Sequence, residues 1–78
     1  PPIVIDYEIF VDSFINITIY DIIGNVIKTM ENSYYEIGPK SIQWNGMNDH
    51  GKEVSAGIYF FKLQSHNFIQ STKLIFLK

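Results

Sequence analysis

The segment 45–53 holds the residues whose types come nearest to a site for chemistry. Asn and Asp side chains alternate ahead of Gly51, as in a calcium-binding loop. The spacing does not fit such a loop, because the glycine falls one place late, Met47 occupies a ligand position and Glu53 arrives too early to close the site. We therefore predict that Asp49 and Gly51 form a turn held by Asx hydrogen bonds, and that the segment binds no metal.

The other titratable side chains lack the setting that catalysis needs, which is a nucleophile with a base or paired acids in a cleft. His50 and His66 lie in turn segments among polar neighbours, so we predict exposed loop residues. Asp6 and Glu8 share one face of a strand, and carboxylates without a pocket form a solvated surface. We expect no catalytic residue and no cofactor.

Three aromatic residues, Tyr34, Tyr35 and Trp44, have the chemistry to stack on a sugar ring. In a domain this small, aromatic side chains more often fill the core, because each one supplies a large buried apolar area. We therefore place Trp44 in the core. An adhesive or carbohydrate-binding surface remains an alternative.

Composition argues against several other functions. The net charge of −2 gives no electrostatic footprint for nucleic acid, and the absence of cysteine removes disulfides and thiolate metal sites. A hydrophobic content of 46% is far from that of a disordered tail. No apolar run approaches the roughly 18 residues of a membrane helix. We predict one folded domain over residues 1–78, cut from a larger protein, without a membrane span or a small-molecule substrate.

Strand signals fill the first half of the chain. Alternating apolar residues predict strands over 3–11 and 15–19, and their closeness in sequence suggests an antiparallel hairpin. A tight turn then leads to a third strand over 26–30. In that turn Asp21 can accept backbone N–H groups and Gly24 can take a positive φ.

The second half continues the same pattern. We predict an edge strand or ordered loop at 34–37, a strand at 41–45, a long polar connection at 45–57, a central strand at 58–64 and a final strand at 68–78. Six or seven short strands without a helical period indicate an antiparallel, immunoglobulin-like β-sandwich. Its core should contain Trp44, Tyr59, Phe61 and Leu63.

Three stretches together resemble a known family, and they span nearly the whole chain. Residues 19–26 are similar to the hydrophobic-Tyr-Asp-x-x-Gly hairpin of the C-terminal sorting domain of the type IX secretion system. Residues 44–59 resemble that family's run from Trp-Asn-Gly to Gly-Ile-Tyr, and residues 73–78 resemble its closing basic-hydrophobic strand. The resemblance implies a non-catalytic domain that directs a cargo protein to the cell surface.

The same resemblance implies partners and a location. The outer-membrane translocon and a sortase-like peptidase would act on the domain, which would cross the periplasm on its way to the surface or the medium. The cleavage junction would lie upstream of Pro1 or at its edge. An edge strand can offer its backbone to a receptor. We assign translocon recognition to Gly57, Tyr59, Lys73, Leu74, Ile75, Phe76, Leu77 and Lys78.

A second resemblance competes with the first. The Trp-Asn-Gly and Gly-x-Tyr residues are also similar to a related immunoglobulin-like module in the flagellar hook-capping protein. That relation would make the chain a structural assembly domain.

Overall fold

The computed structural model describes residues 2–78, and within them the secondary structure is entirely β. The strands are β1 (Ile3–Ile9), β2 (Ser13–Asp21), β3 (Val26–Tyr35), β4 (Gly38–Trp44), β5 (Gly57–Gln64) and β6 (Ile69–Phe76). The described part of the chain contains no helix that is long and apolar enough to span a membrane. The predicted all-β class is confirmed.

Two antiparallel sheets enclose the core. β1 pairs with β4 in one sheet, and the other has the strand order β3-β2-β5-β6. Alternate residues of the strands point inward and form one apolar cluster, made of Ile5, Ile9, Ile15, Ile17, Ile19, Trp44, Tyr59, Phe61, Leu63, Leu74 and Phe76. The architecture is the small immunoglobulin-like sandwich that the strand pattern predicts.

The predicted hairpin between the first two strands is wrong. β1 lies in the two-stranded sheet and β2 in the four-stranded sheet, so the connection 10–12 crosses from one sheet to the other. The crossing places the apolar faces of the two strands on opposite sides of one core, where each covers the other. The corner is fixed by Asp12, whose Oδ1 accepts a hydrogen bond of 2.7 Å from the N–H of Ile37.

Several strand boundaries also differ from prediction, and β3 shows the largest difference. β1 ends at Ile9 instead of residue 11, and β3 continues to Tyr35 instead of residue 30, so that 34–37 is not a separate strand. The full length of β3 does not show in the sequence as a regular alternation of apolar and polar residues, because its register with β2 shifts twice. Such bulges place Ile27 and Met30, three positions apart, against the same core.

The prediction for the core is confirmed. The Trp44 side chain is 1% exposed, and Tyr59, Phe61 and Leu63 are buried on the inward face of β5. β5 lies between β2 and β6, which makes it the interior strand that its apolar sequence predicts. β6 pairs with β5 and is an edge strand of the four-stranded sheet within the described residues.

Candidate functional site

A single carboxylate organises the turn between β2 and β3. Asp21 Oδ1 accepts hydrogen bonds from the N–H groups of Ile23 (3.0 Å) and Asn25 (2.8 Å), and Oδ2 accepts one from the Asn25 amide (3.1 Å). Gly24 adopts a φ of 91°, which favours glycine. Desolvation raises the pKa of Asp21, but these hydrogen bonds outweigh it and hold the pKa below its ordinary value.

Replacing Asp21 with asparagine should destabilise the domain at neutral pH, because the charged acceptor is lost and an amide would face the Asn25 amide. Since folding lowers the pKa of Asp21, its contribution is fully present above the ordinary aspartate pKa and is lost as pH falls through the folded value. Urea unfolding at several pH values should show the two proteins converging in acid. Glu36→Gln, at an exposed carboxyl, controls for the lost charge. A difference that does not change with pH would contradict the assignment.

The loop after β4 is held by Asx hydrogen bonds. Asn48 Oδ1 accepts from the N–H groups of His50 (2.9 Å) and Lys52 (3.0 Å). The Gly51 N–H donates to the Asn48 carbonyl (3.0 Å), and Gly51 has a φ of 77°. The amide oxygen that a cation would need is therefore already bonded to the backbone. Within residues 2–78, no three metal-ligating side chains come together.

Asp49 attaches this loop to the edge of β3. Its N–H donates to the Ile27 carbonyl (2.9 Å), and its Oδ1 accepts from the Thr29 N–H (3.0 Å). The pattern resembles strand pairing, so the loop covers part of an otherwise open sheet edge. The sequence identified Asp49 as a turn residue but did not show this contact, because its two partners lie about 20 residues upstream.

Replacing Asp49 with alanine should cost about 1 kcal/mol of unfolding free energy, since one hydrogen bond to β3 is lost. The amide of Thr29 should exchange its hydrogen faster. Asp49→Asn is the matched control, because its side-chain oxygen can still accept that bond. Denaturant unfolding and amide exchange measure the two effects. Equal behaviour of the alanine and asparagine variants would show that the side chain does not hold the loop.

The Trp44 indole joins the two sheets and the loop. Its ring centre lies 5.1 Å from that of Tyr59 and 5.5 Å from that of Phe76. The indole N–H donates to the Met47 carbonyl (2.9 Å), and the Tyr59 hydroxyl donates to the Ser55 carbonyl (2.6 Å). The polar atoms of both rings thus hold the loop backbone while their apolar surfaces fill the core.

Gly46 must be small because it packs under an aromatic ring. A Cβ atom at this position would lie 2.2 Å from Cζ of Phe76, and the backbone has a φ of 79°. The Gly46 carbonyl accepts from the Val54 N–H (2.9 Å), and the preceding Asn45 accepts from the Met47 N–H (3.1 Å). The Trp-Asn-Gly sequence is therefore explained by packing and turn formation.

The residues assigned to translocon recognition do not share one surface. Inward-facing members are Tyr59, Leu74 and Phe76, whereas Lys73, Ile75, Leu77 and Lys78 are exposed and Gly57 is half-buried. The Lys78 ammonium lies 2.9 Å from Glu53 Oε1. Their assigned role in recognition stays a prediction without a test.

The other candidate residues lie apart from one another. His50 and His66 are exposed in loops, as predicted. Tyr34 is exposed on β3, but Trp44 is buried between the sheets. A sugar platform that includes the indole is therefore excluded, because its ring faces are covered by protein.

The two sheets and the Trp44 loop define a small immunoglobulin-like module. The model of the FlgD Ig-like domain family matches residues 7–67, which is 61 of the 78 residues, and the chain belongs to this family. The match extends from the end of β1 through β5 and stops before β6. No curated protein and no solved structure matches the chain.

The resemblance to a type IX sorting domain is wrong, because the family that matches is the FlgD Ig-like domain. The alternative holds: the chain is an immunoglobulin-like module related to the flagellar hook-capping domain. The translocon and peptidase as partners, and the route to the cell surface, rested on the overturned resemblance and remain untested. The junction at Pro1 lies outside the described residues.

Proposed function

We propose that this chain is a structural module that serves in the assembly of the flagellar hook and performs no chemical step. The observation that carries the proposal is the Trp44 loop, whose indole N–H, Asn45 and Asn48 oxygens and Asp49 carboxylate all bond to the chain's own backbone. Side chains committed in this way stabilise a fold and are not free to bind or transform a substrate. Membership in the FlgD Ig-like domain family, a family of structural and non-catalytic modules, agrees with this role.

The surface supports a role in protein contacts. Several large apolar side chains remain exposed on the outer sides of the sheets and in the turns, among them Phe14, Ile22, Ile23, Tyr34 and Ile75. Phe14 and Tyr34 are cross-strand partners on β2 and β3, and neighbouring exposed apolar side chains of this kind are typical of surfaces that meet other proteins.

The experiment is a replacement of domains. In a bacterium that builds a hook, the immunoglobulin-like module of its own hook-capping protein is exchanged for residues 1–78, and hook length is measured by electron microscopy. We expect hooks to form with the exchanged module and to fail when it carries Trp44→Ala. Absence of hooks, despite a folded and normally expressed chimera, would overturn a role in this assembly.

A further inference from the structure

The outer side of the four-stranded sheet carries an apolar patch with two lysines. Outward residues meet across neighbouring strands: Tyr20 lies between Val26 and Phe60, and Phe60 lies beside Lys73. The Lys62 ammonium lies 5.6 Å from the centre of the Tyr20 ring. We call this surface the lysine face, made of Tyr20, Val26, Ile58, Phe60, Lys62, Lys73 and Ile75.

Apolar area on the lysine face is open to solvent. Ile58 and Ile75 form a cross-strand pair, and they are 38% and 60% exposed. The outward register positions of β2, β3, β5 and β6 hold no carboxylate. The face therefore offers positive charge around an apolar centre.

The outer side of the two-stranded sheet has the opposite charge. Because Ile5 and Ile9 point into the core, Asp6 and Glu8 point outward. We call this surface the acid face, made of Val4, Asp6, Glu8, Pro39, Ser41 and Gln43. Its outward register positions hold no lysine, and the nearby Lys40 ammonium lies 5.7 Å from the centre of the Tyr35 ring.

The charged positions on the two faces also match in their backbone spacing. Asp6 and Glu8 are two positions apart on one strand, a distance of about 7 Å. Lys62 and Lys73 are diagonal neighbours on β5 and β6, a distance of about 7–8 Å. The acid face of one copy can therefore meet the lysine face of another with two ion pairs beside buried apolar contacts.

We propose that the module binds a second copy of itself, with the acid face of one molecule on the lysine face of the next. The inference rests on the proposed role in assembly and names a partner for it. Because the two contacting surfaces differ, the assembly keeps one free acid face at one end and one free lysine face at the other, so the association grows with concentration. Ion pairs at an exposed rim are weak and screened by salt, so the assembly weakens as ionic strength rises.

The test uses charge reversal on each face. The Lys62→Glu, Lys73→Glu variant carries two acidic faces, and the Asp6→Lys, Glu8→Lys variant carries two basic faces. Sedimentation velocity at low ionic strength should show that the wild-type apparent mass rises with concentration, while each variant alone keeps the monomer mass. In an equimolar mixture of the two variants, the apparent mass should again rise with concentration, because acidic faces can then meet basic faces.

A matched control separates the faces from net charge. Lys52→Glu with Lys78→Glu makes the same change in charge outside both faces, and it should associate like the wild type. Three results would overturn the proposal: a wild type that stays monomeric at every concentration, a mixture that does not associate, or a control that loses association as well. Failure of the domain replacement with intact self-association would instead count against the hook role alone.

Discussion

Replacing Gly46 with alanine is expected to lower the unfolding free energy by about 2–5 kcal/mol. A side chain at a φ of 79° costs about 1–2 kcal/mol, and forcing atoms into a packed core costs about 1–3 kcal/mol more. Phe76 cannot easily move away, because its ring packs against Trp44 and Tyr59. Urea unfolding followed by tryptophan fluorescence measures the change.

Gly51→Ala is the matched control for this prediction. Gly51 has a nearly equal φ of 77°, but a Cβ there meets nothing within 4 Å. Gly51→Ala should therefore lower the unfolding free energy only by the cost of a side chain at positive φ, about 1–2 kcal/mol. In a Phe76→Leu background, where the ring is absent, the difference in unfolding free energy between the two alanine variants should become smaller. Equal losses at both glycines would show that Phe76 does not constrain Gly46.

Truncation of Trp44 to alanine is expected to cost about 3–5 kcal/mol, the usual range for a large aromatic residue removed from a core. A domain of this size has a total stability of about 4–12 kcal/mol, so the variant should be largely unfolded at the lower end of that range. Loss of the ring also leaves the Met47 carbonyl without its donor. Near-ultraviolet circular dichroism and urea unfolding followed by tyrosine emission measure the result.

Two further variants separate the causes. Trp44→Phe keeps an aromatic ring in the core and removes the indole N–H, so it should cost clearly less than alanine. Phe10→Ala removes a ring that is 64% exposed, and the change should stay within about 0.5 kcal/mol. A loss at Phe10 as large as that at Trp44 would contradict the role of the indole as the centre of the core.

The local pattern was enough to predict much of this fold. Strands β1, β2 and β5 show clear alternation, and in β5 the inward residues Tyr59, Phe61 and Leu63 stand at every second position. The burial of Trp44 followed from its size alone, since a small sandwich has few other ways to fill its core. These features depend on residue type and period, which the sequence displays directly.

The pairing of strands could not be predicted in the same way. Nothing in the residues 10–12 distinguishes a hairpin turn from a crossing between sheets, because the choice depends on what covers the apolar face of β1. Bulges in β3 likewise broke the alternation that would have revealed its full length. Sheet membership and register are properties of the whole domain.

The same limit applies to the site. The Asn and Asp residues of the loop predicted Asx turns, because these turns form between residues close in sequence. The contact of Asp49 with β3 and the packing of Phe76 on Gly46 join residues distant in sequence, so they could not be predicted in this way. The Trp-Asn-Gly and Gly-x-Tyr residues did not distinguish between the two families that they resemble, because in this chain they serve the packing of the loop.

The placement of β1 in a sheet with β4 has a consequence for how the chain folds. Ile9 pairs with Gly38 and Ile3 pairs with Trp44, so 29 to 41 positions of chain must be closed before this sheet gains a contact. The β2–β3 and β5–β6 pairs close short turns and are expected to form early, whereas the β1–β4 and β2–β5 pairs join distant positions and are expected to form later. Sandwiches with such non-local pairings refold in about milliseconds to seconds. Until the β1–β4 sheet packs against it, the apolar inner face of the four-stranded sheet stays exposed to solvent. Newly made chains at high concentration could aggregate through this exposed face.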